Sequence, residues 1–200
     1  MTNNQIIKFH INDLNYVLND SQIKLNLSRA ALLMCKAIKN NGTIYVAGNG
    51  GSAAIANHLL CDFSKGIVER TNYFPKVVSL SNSAELITAI SNDTDFSNIF
   101  LNQVRGKLNL NDLVILISSS GKSKNIIKLA KYLKQQKISF IVLVGFESGA
   151  TILKSASVLL HLKSSDYGVI EDASQAIMHI LAKLGVATLN EKFWSNIASL

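Results

Sequence analysis

Residues 43–52 decide the fold: Thr-Ile-Tyr-Val-Ala, followed by Gly-Asn-Gly-Gly-Ser. The first five are β-branched, aromatic or apolar without alternation, which is typical of a strand buried on both faces of a parallel sheet. Good helix formers follow Ser52, so the glycines are predicted at a strand-to-helix turn with Ser52 near the helix N-cap. Free N–H groups and a positive dipole at that helix start suit an anion such as phosphate.

Strands and helices alternate along the rest of the chain. Further strands are predicted at 76–80, 112–117, 139–144 and 156–162, and helices at 83–91, 97–106, 124–135 and about 168–189. This alternation implies right-handed crossovers and an α/β fold. We therefore predict a doubly wound, parallel, five-stranded sheet flanked by helices, a flavodoxin-like or Rossmann-like three-layer sandwich.

Two amphipathic helices, predicted at 4–19 and 21–39, precede the first strand. They are additions to the alternating unit, and their apolar stripes can pack on the sheet or against another subunit, the second being favoured in part. No linker or repeat divides the sequence, so we expect one domain over 1–200. Its N-terminal helices (1–41) would serve oligomer packing and its α/β core (42–190) would bind the ligand.

The composition limits the class of protein. Of 200 residues 48% are hydrophobic, enough for one sizeable core, whereas only 16% are charged, which suggests that other subunits cover part of the surface. A net charge of +7 suits nucleic acid, an acidic membrane or a phosphorylated metabolite, but no dense basic run with interleaved aromatics supports direct nucleic-acid binding. Residues 1–10 lack an apolar signal core and no apolar run would span a bilayer, so we expect no membrane association and a cytoplasmic protein. Cys35 and Cys61 lie in apolar helical patterns and are predicted to be buried, reduced thiols.

A serine-rich turn follows the third strand. Hydroxyl donors beside a second helix start fit a phosphate held without a metal, although serines there can also merely cap the helix. The hydroxyls concerned belong to Ser118, Ser119, Ser120 and Ser123. Turns after neighbouring parallel strands face one crevice, so the glycine and serine turns are expected to lie together.

The glycine turn has a rival interpretation. Gly48, Gly50 and Ala53 satisfy the permissive G-x-G-x-x-A pattern of dinucleotide-binding proteins. That pattern needs an acidic residue at the end of the next strand, and Glu69 has the distance but precedes the predicted strand. The match is weak, and neither turn has the P-loop pattern G-x-x-x-x-G-K-[ST].

Four ionisable residues could carry chemistry: His58, Asp62, Glu171 and His179. Singly they have ordinary explanations, as hydrogen-bonded histidines or helix carboxylates, but together they could form a mixed N/O site for zinc or a similar ion. His58 and Asp62 share a helix face at i, i+4. Glu171 and His179 are eight residues apart, about 12 Å along a straight helix, so they meet one centre only through side-chain reach, a bend or different subunits.

The motifs together resemble the sugar isomerase (SIS) domain, and within it the phosphoheptose isomerases. The residues that carry the resemblance are 47–52, the triplet Ser91-Asn92-Asp93, residues 118–123 and residues 177–181. The likeness covers nearly the whole chain. It implies a homotetramer with active sites between subunits that converts sedoheptulose 7-phosphate into D-glycero-D-manno-heptose 7-phosphate, for the heptose of bacterial lipopolysaccharide. It also implies one zinc ion per subunit.

The resemblance assigns roles residue by residue. His58 matches a zinc ligand and His179 a catalytic, metal-binding histidine, whereas Asp62 stands where those isomerases have glutamate and Glu171 where they have glutamine. Asp62 would be the base and a ligand, and Glu171 would touch both metal and substrate. The implied substrate contacts are Asn49, Gly50, Gly51, Ser52, Asp62, Asn92, Asp93, Ser118, Ser119, Ser120, Ser123 and Glu171.

Two alternatives stay open. One is a non-catalytic, tetrameric SIS relative that binds the replication initiator DnaA, and the other is a sugar-phosphate sensor. The nonstandard Asp62 and Glu171 and the basic charge favour the DnaA-binding relative, whereas the retained histidines with acidic partners favour the isomerase.

Overall fold

The computed structural model describes residues 2–146 and 151–190. Its centre is a single five-stranded sheet in the order β2-β1-β3-β4-β5, in which every neighbouring pair is parallel. The strands are β1 (Thr43–Gly48), β2 (Lys76–Ser79), β3 (Leu113–Ser118), β4 (Ser139–Val144) and β5 (Val158–His161). This order confirms the predicted flavodoxin-like sheet and puts the reversal of strand order, where ligands bind, between β1 and β3.

Seven α-helices surround the sheet in the described part of the chain. They are α1 (Asn3–Asn19), α2 (Ser21–Lys39), α3 (Gly51–Cys61), α4 (Ala84–Asp93), α5 (Leu101–Val104), α6 (Lys124–Gln135) and α7 (Tyr167–Leu189). Short 3-10 turns occupy Val68–Arg70, Phe96–Asn98 and Thr151–Ser155. No helix in the described ranges is long and apolar enough to cross a membrane.

The sheet has a separate apolar core on each face, because successive strand residues point to opposite sides. In β3, Leu113, Ile115 and Ile117 join α2, α3 and α7 in one core, whereas Val114 and Leu116 join α5 and α6 in the other. All six β3 residues are buried, as a central strand covered by helices on both faces requires. The three-layer prediction is thereby confirmed.

The two N-terminal helices pack on the same face of the sheet as α7. Buried apolar residues of α2 belong to the core there, and the Asn26 amide donates a 2.8 Å hydrogen bond to the Leu159 carbonyl of β5. On α1, Ile6, Ile7 and Phe9 are each more than half exposed. The use of these helices in oligomer packing stays a prediction, and α1 offers apolar side chains for it.

The predicted helix over 97–106 is wrong as one continuous element. Asp95 instead caps a 3-10 turn by accepting a 2.7 Å hydrogen bond from the Ser97 amide, and the four-residue α5 follows. The chain then turns at Gly106, whose φ of 74° lies in the left-handed region. The cap at Asp95 and the turn at Gly106 thus limit the helix to one short turn.

The two cysteines differ in burial. Both are free thiols, as predicted, but Cys61 is exposed and only Cys35 is buried. Burial raises the pKa of the Cys35 thiol to about 11. The prediction that Cys61 is buried is therefore wrong, because this residue lies on the outer side of α3 at its last turn.

Candidate active site

The glycine and serine turns face each other across a cleft of about 290 Å³ at the carboxyl ends of β1 and β3. The cleft is lined by residues 49–52, residues 117–120, Ser123, Tyr167 and Glu171. The structure thus brings together eight of the predicted substrate contacts from two separate turns, together with Glu171. A cleft at this switch point is where an open parallel sheet binds its ligand.

A pair of side-chain amides fixes the two turns relative to each other. Asn49 and Asn125 exchange two hydrogen bonds of 2.9 Å, each amide donating to the other's carbonyl oxygen. Asn125 is 1% exposed and also accepts from the Ile126 amide at 2.9 Å. Sequence reasoning missed Asn125, since a lone asparagine in a first helical turn reads as local capping and gives no sign of a partner on another turn.

The glycine turn needs glycine at two positions for different reasons. Gly50 has a φ of 55° and precedes α3 as its N-cap, a backbone conformation that side chains with a Cβ rarely adopt. Gly51, the first residue of α3, lies against the carboxylate of Glu171, and a β-carbon there would collide with it. The turn is therefore shaped both by its own backbone and by a side chain of α7.

The serine turn is held by backbone hydrogen bonds and by the Ser120 hydroxyl, which accepts from the Lys122 amide at 3.2 Å. The Ser119 carbonyl accepts hydrogen bonds from the amides of Gly145 and Phe146 at 3.0 and 3.1 Å. Ser123 is the N-cap residue of α6, but its side chain makes no capping hydrogen bond and instead lies 3.4 Å from the Ser118 hydroxyl. The capping alternative is thus contradicted at Ser123, and the phosphate interpretation stays a prediction.

A second group of predicted residues, His58, Asp62 and His179, meets beside the first turn of a π-helix (Asp62–Ile67) that directly continues α3. One ligand atom from each lies within 4.8 Å of the others. Asp62 Oδ1 is 3.5 Å from His58 Nε2, and Asp62 Oδ2 is 2.9 Å from His179 Nδ1. The i, i+4 prediction for His58 and Asp62 and their convergence with His179 are confirmed.

One oxygen of the partly buried Asp62 carboxylate lacks a hydrogen-bond partner. Its Oδ2 is inaccessible to solvent and has no hydrogen bond, because the nearby His179 Nδ1 is close in distance but poorly aligned as a donor. Unsatisfied buried polar atoms are rare in proteins and call for an explanation such as a bound ion or a catalytic role. A carboxylate oxygen and two imidazole nitrogens are a donor set that zinc accepts.

Gln175 supports this cluster and was missed from the sequence. Its amide nitrogen lies 3.2 Å from His179 Nε2, one turn earlier on α7. A partner on the outer nitrogen fixes the orientation of a functional imidazole and its tautomer. The i−4 spacing from His179 was the available signal.

The structure does not bring the other predicted residues to this cluster. Glu171 lies in the cleft, two helical turns from His179 on α7, and is not in the cluster of candidate metal ligands found among the described residues. Asn92 and Asp93 end α4, bonded to each other at 3.0 Å, and do not line the cleft. Their roles, and the fourth-ligand role of Glu171, stay predictions.

A second cavity, of about 310 Å³, opens beside Asp62 and His179. The π-helix supplies Lys65 and Gly66 to its wall, and Lys183 of α7 lies opposite. π-helical segments occur frequently at functional sites. The cluster therefore borders an opening with both basic and acidic side chains, and this opening differs in its lining from the glycine–serine cleft.

The dinucleotide alternative loses its acidic residue. Glu69 is exposed in the 3-10 turn Val68–Arg70, before β2, whereas β2 ends at Ser79. No carboxylate therefore stands at Ser79, where the fingerprint places its ribose ligand.

Comparison with known proteins agrees with this geometry. The SIS domain family model matches residues 12–145. The phosphoheptose isomerase of Neisseria meningitidis (serogroup C, strain FAM18) is 34% identical over 76% of this chain and 78% of its own. Phosphoheptose isomerase 2 of Campylobacter jejuni is 33% identical over 90% of this chain and 91% of its own. The solved phosphoheptose isomerase of Neisseria gonorrhoeae superposes with a TM-score of 0.80 at 26% identity, over 92% of this chain and 99% of that one.

The family model spans the helix that carries His58. The Campylobacter relative and the superposed structure cover 90% and 92% of this chain. The chain therefore belongs to the SIS domain family and is a relative of the phosphoheptose isomerases.

Proposed function

We propose that this protein is an aldose–ketose isomerase that converts D-sedoheptulose 7-phosphate into D-glycero-D-manno-heptose 7-phosphate, for lipopolysaccharide heptose synthesis. The observation that carries the proposal is the Asp62 carboxylate held between two imidazoles on the same chain as a hydroxyl-rich cleft. The names of the relatives, which are phosphoheptose isomerases, support the choice of substrate.

The reaction moves a proton between two carbons through an enediol, and the cluster has the groups for it. Asp62 takes a proton from C1 of the ketose while His179 delivers one to the carbonyl oxygen at C2, which gives the enediol. Asp62 then returns its proton to C2, while the hydroxyl on C1 gives its proton to His179 and its oxygen becomes that of the aldehyde. The 2.9 Å separation of Asp62 Oδ2 and His179 Nδ1 supports a base and an acid that act together on one substrate.

The cluster also fits a zinc ion, which would be held by His58, Asp62 and His179. The orphaned Asp62 Oδ2 and the two nitrogen donors are the observations that support this fit. When bound, such an ion supplies Lewis-acid stabilisation of the oxygen that becomes negative during enolisation. Glu171 is proposed as a substrate contact, because its carboxylate lies in the cleft rather than beside the cluster.

The phosphate is proposed to bind at the serine turn. Ser118, Ser120 and Ser123 present hydroxyls beside the start of α6, and no capping bond occupies Ser123. A dianion is well accommodated by hydroxyl donors and free helical N–H groups. Asn92 and Asp93 would reach substrate only from a neighbouring subunit or after a rearrangement of α4.

We further propose a cytoplasmic homotetramer with active sites between subunits. The half-exposed apolar side chains of α1 and the low content of charged residues support burial against other copies. The alternative of a non-catalytic binder of DnaA, or of a sugar-phosphate sensor, lacks a use for an intact imidazole–carboxylate cluster.

Proton exchange in deuterium oxide tests the proposed function. Purified protein is incubated with sedoheptulose 7-phosphate, with and without added zinc, and NMR follows deuterium entry next to the carbonyl and appearance of the aldose. Exchange together with product is expected. Saturable binding without exchange under both conditions would refute the isomerase and favour the sensor, and capture of DnaA by this protein would then favour the adaptor.

A further inference from the structure

The glycine–serine cleft is unusual in its charge for a site that binds a phosphate ester. Among the described residues that line it there is no lysine or arginine, and the one charged side chain is Glu171. Lys122 and Lys124 follow the serine turn in the sequence, but both are exposed and neither lines the cleft. A phosphate entering this cleft would therefore meet a carboxylate and only neutral donors.

The carboxylate is built into the cleft rather than merely near it. Both carboxylate oxygens of Glu171 lie so close to Gly51 that a β-carbon there would overlap them, which means that the glycine makes room for this acid. Gly51 is the first residue of the eleven-residue α3, where a negative group is favoured by the helix dipole. A residue of α7 thus sets a carboxylate beside the N-terminal end of α3.

The two halves of the cleft therefore differ in what they accept. The serine half offers hydroxyl donors and suits an anion, whereas the glycine half carries an acceptor-only carboxylate that suits hydroxyl groups and repels anions. We propose that Glu171 is a specificity-determining residue, which makes the cleft select hydroxylated phosphate esters and discriminate against inorganic phosphate and other small anions. This inference rests on the proposed function for the serine turn as the phosphate site.

The energetic logic is a balance that only a polyol phosphate can satisfy. Inorganic phosphate accepts hydrogen bonds from the serine hydroxyls, but the Glu171 carboxylate in the same cleft repels it and receives no hydrogen bond in return. A sugar phosphate meets the same repulsion but brings hydroxyl groups that donate to Glu171, and hydrogen bonds to a charged acceptor are about twice as strong as neutral ones. Glu171→Gln removes the repulsion for both ligands and the strong acceptor for the sugar alone.

Calorimetric titration of the full-length protein tests the proposal. Inorganic phosphate and then sedoheptulose 7-phosphate are titrated into wild type, Glu171→Gln, Glu171→Asp and Glu85→Gln at one low ionic strength. Glu85→Gln is the matched control, since it makes the same charge change on the exposed side of α4. Circular dichroism and melting confirm that each variant is folded.

Glu171→Gln is expected to bind inorganic phosphate about tenfold more tightly, because the variant loses the one negative charge among the described residues that line the same cleft. Sedoheptulose 7-phosphate should gain much less, so that the ratio of the two affinities falls, whereas Glu171→Asp and the Glu85 control should keep the wild-type ratio. Unchanged phosphate binding in Glu171→Gln, no measurable phosphate binding by any of the proteins, or an equal gain in the Glu85 control would overturn the inference.

The outcome is separable from that of the proposed function. Turnover of sedoheptulose 7-phosphate without the phosphate contrast would leave the isomerase standing and remove the role of Glu171. The phosphate contrast without turnover would keep Glu171 as the discriminating residue of a binding protein and remove the isomerase.

Discussion

Replacing Asp62 by asparagine is the sharpest test of the catalytic cluster. The amide has nearly the shape of the carboxylate, so the contacts with His58 and His179, at 3.5 and 2.9 Å, can be kept while the charge and the basic oxygen are lost. The Asp62 side chain is 23% exposed and borders a cavity of about 310 Å³, and asparagine has nearly the same volume, so the change creates no apolar void. A fold defect is therefore not expected.

The magnitude follows from the role assigned to the carboxylate. A positioned general base contributes about 10²–10⁴-fold, which corresponds to roughly 3–5 kcal/mol of activation free energy at about 1.4 kcal/mol per factor of ten. We expect kcat for sedoheptulose 7-phosphate to fall by that factor. KM should change little, because the residues that line the glycine–serine cleft do not include Asp62.

The assay is NMR-detected isomerisation in deuterium oxide, in which loss of the base also abolishes exchange at C1. Glu69→Gln is the matched control, since Glu69 is an exposed carboxylate lining the same cavity and has no role in the proposed proton transfer. Equal loss of activity in both variants, or wild-type exchange in Asp62→Asn, would refute the assignment of Asp62 as the base.

Three other outcomes are expected. Gly51→Ala should weaken sedoheptulose 7-phosphate binding by calorimetry, because its β-carbon must displace the Glu171 carboxylate, whereas Gly66→Ala, whose β-carbon meets open space, should not. One thiol, Cys61, should react quickly with a disulfide reagent at pH 8 and the second only on unfolding, since burial raises the pKa of Cys35 to about 11; Cys61→Ser should remove the fast phase. The Lys163 ammonium, followed by the Gln22 amide, lowers the pKa of Asp20. The ionised carboxylate should therefore stabilise the fold fully above the ordinary Asp pKa of about 4, and this stabilisation should be lost as the pH falls through the lowered pKa. The melting difference between wild type and Asp20→Asn should accordingly be present at pH 7 and shrink towards pH 3, and a constant difference would contradict the ion pair as its source.

The parts of the fold that could be predicted are those where one physical signal acts alone. The runs in β1, β3 and β4 are apolar without alternation and end at glycine or serine, and only a strand buried on both faces accounts for that. The glycine and serine turns follow from the strands, and their meeting at one cleft follows from parallel topology.

The parts that could not be predicted depend on contacts between distant segments or on competing local states. Residues 62–67 are compatible with an α-helix as well as with the π-helix that they form against α7, and local propensity does not distinguish the two. The Asn49–Asn125 amide pair joins positions 76 apart in sequence, which no spacing rule addresses. Cys61 has an apolar helical neighbourhood, yet it lies on the exposed face of α3 together with Ala54 and His58.

Helices α3 and α7 connect the two parts of the candidate site. Gly51 at the start of α3 lies against Glu171, and Asp62, just after the end of α3, lies against His179 further along α7, so both helices run in the same direction from the cleft to the cluster. Eight residues of α7 separate Glu171 from His179, a rise of about 12 Å. Within one subunit, a ligand that contacts Glu171 in the cleft and also reaches Asp62 must therefore be extended. A seven-carbon ketose with its phosphate at the far end from the carbonyl has that form, so the spacing of Glu171 and His179 along α7 would disfavour a shorter sugar phosphate.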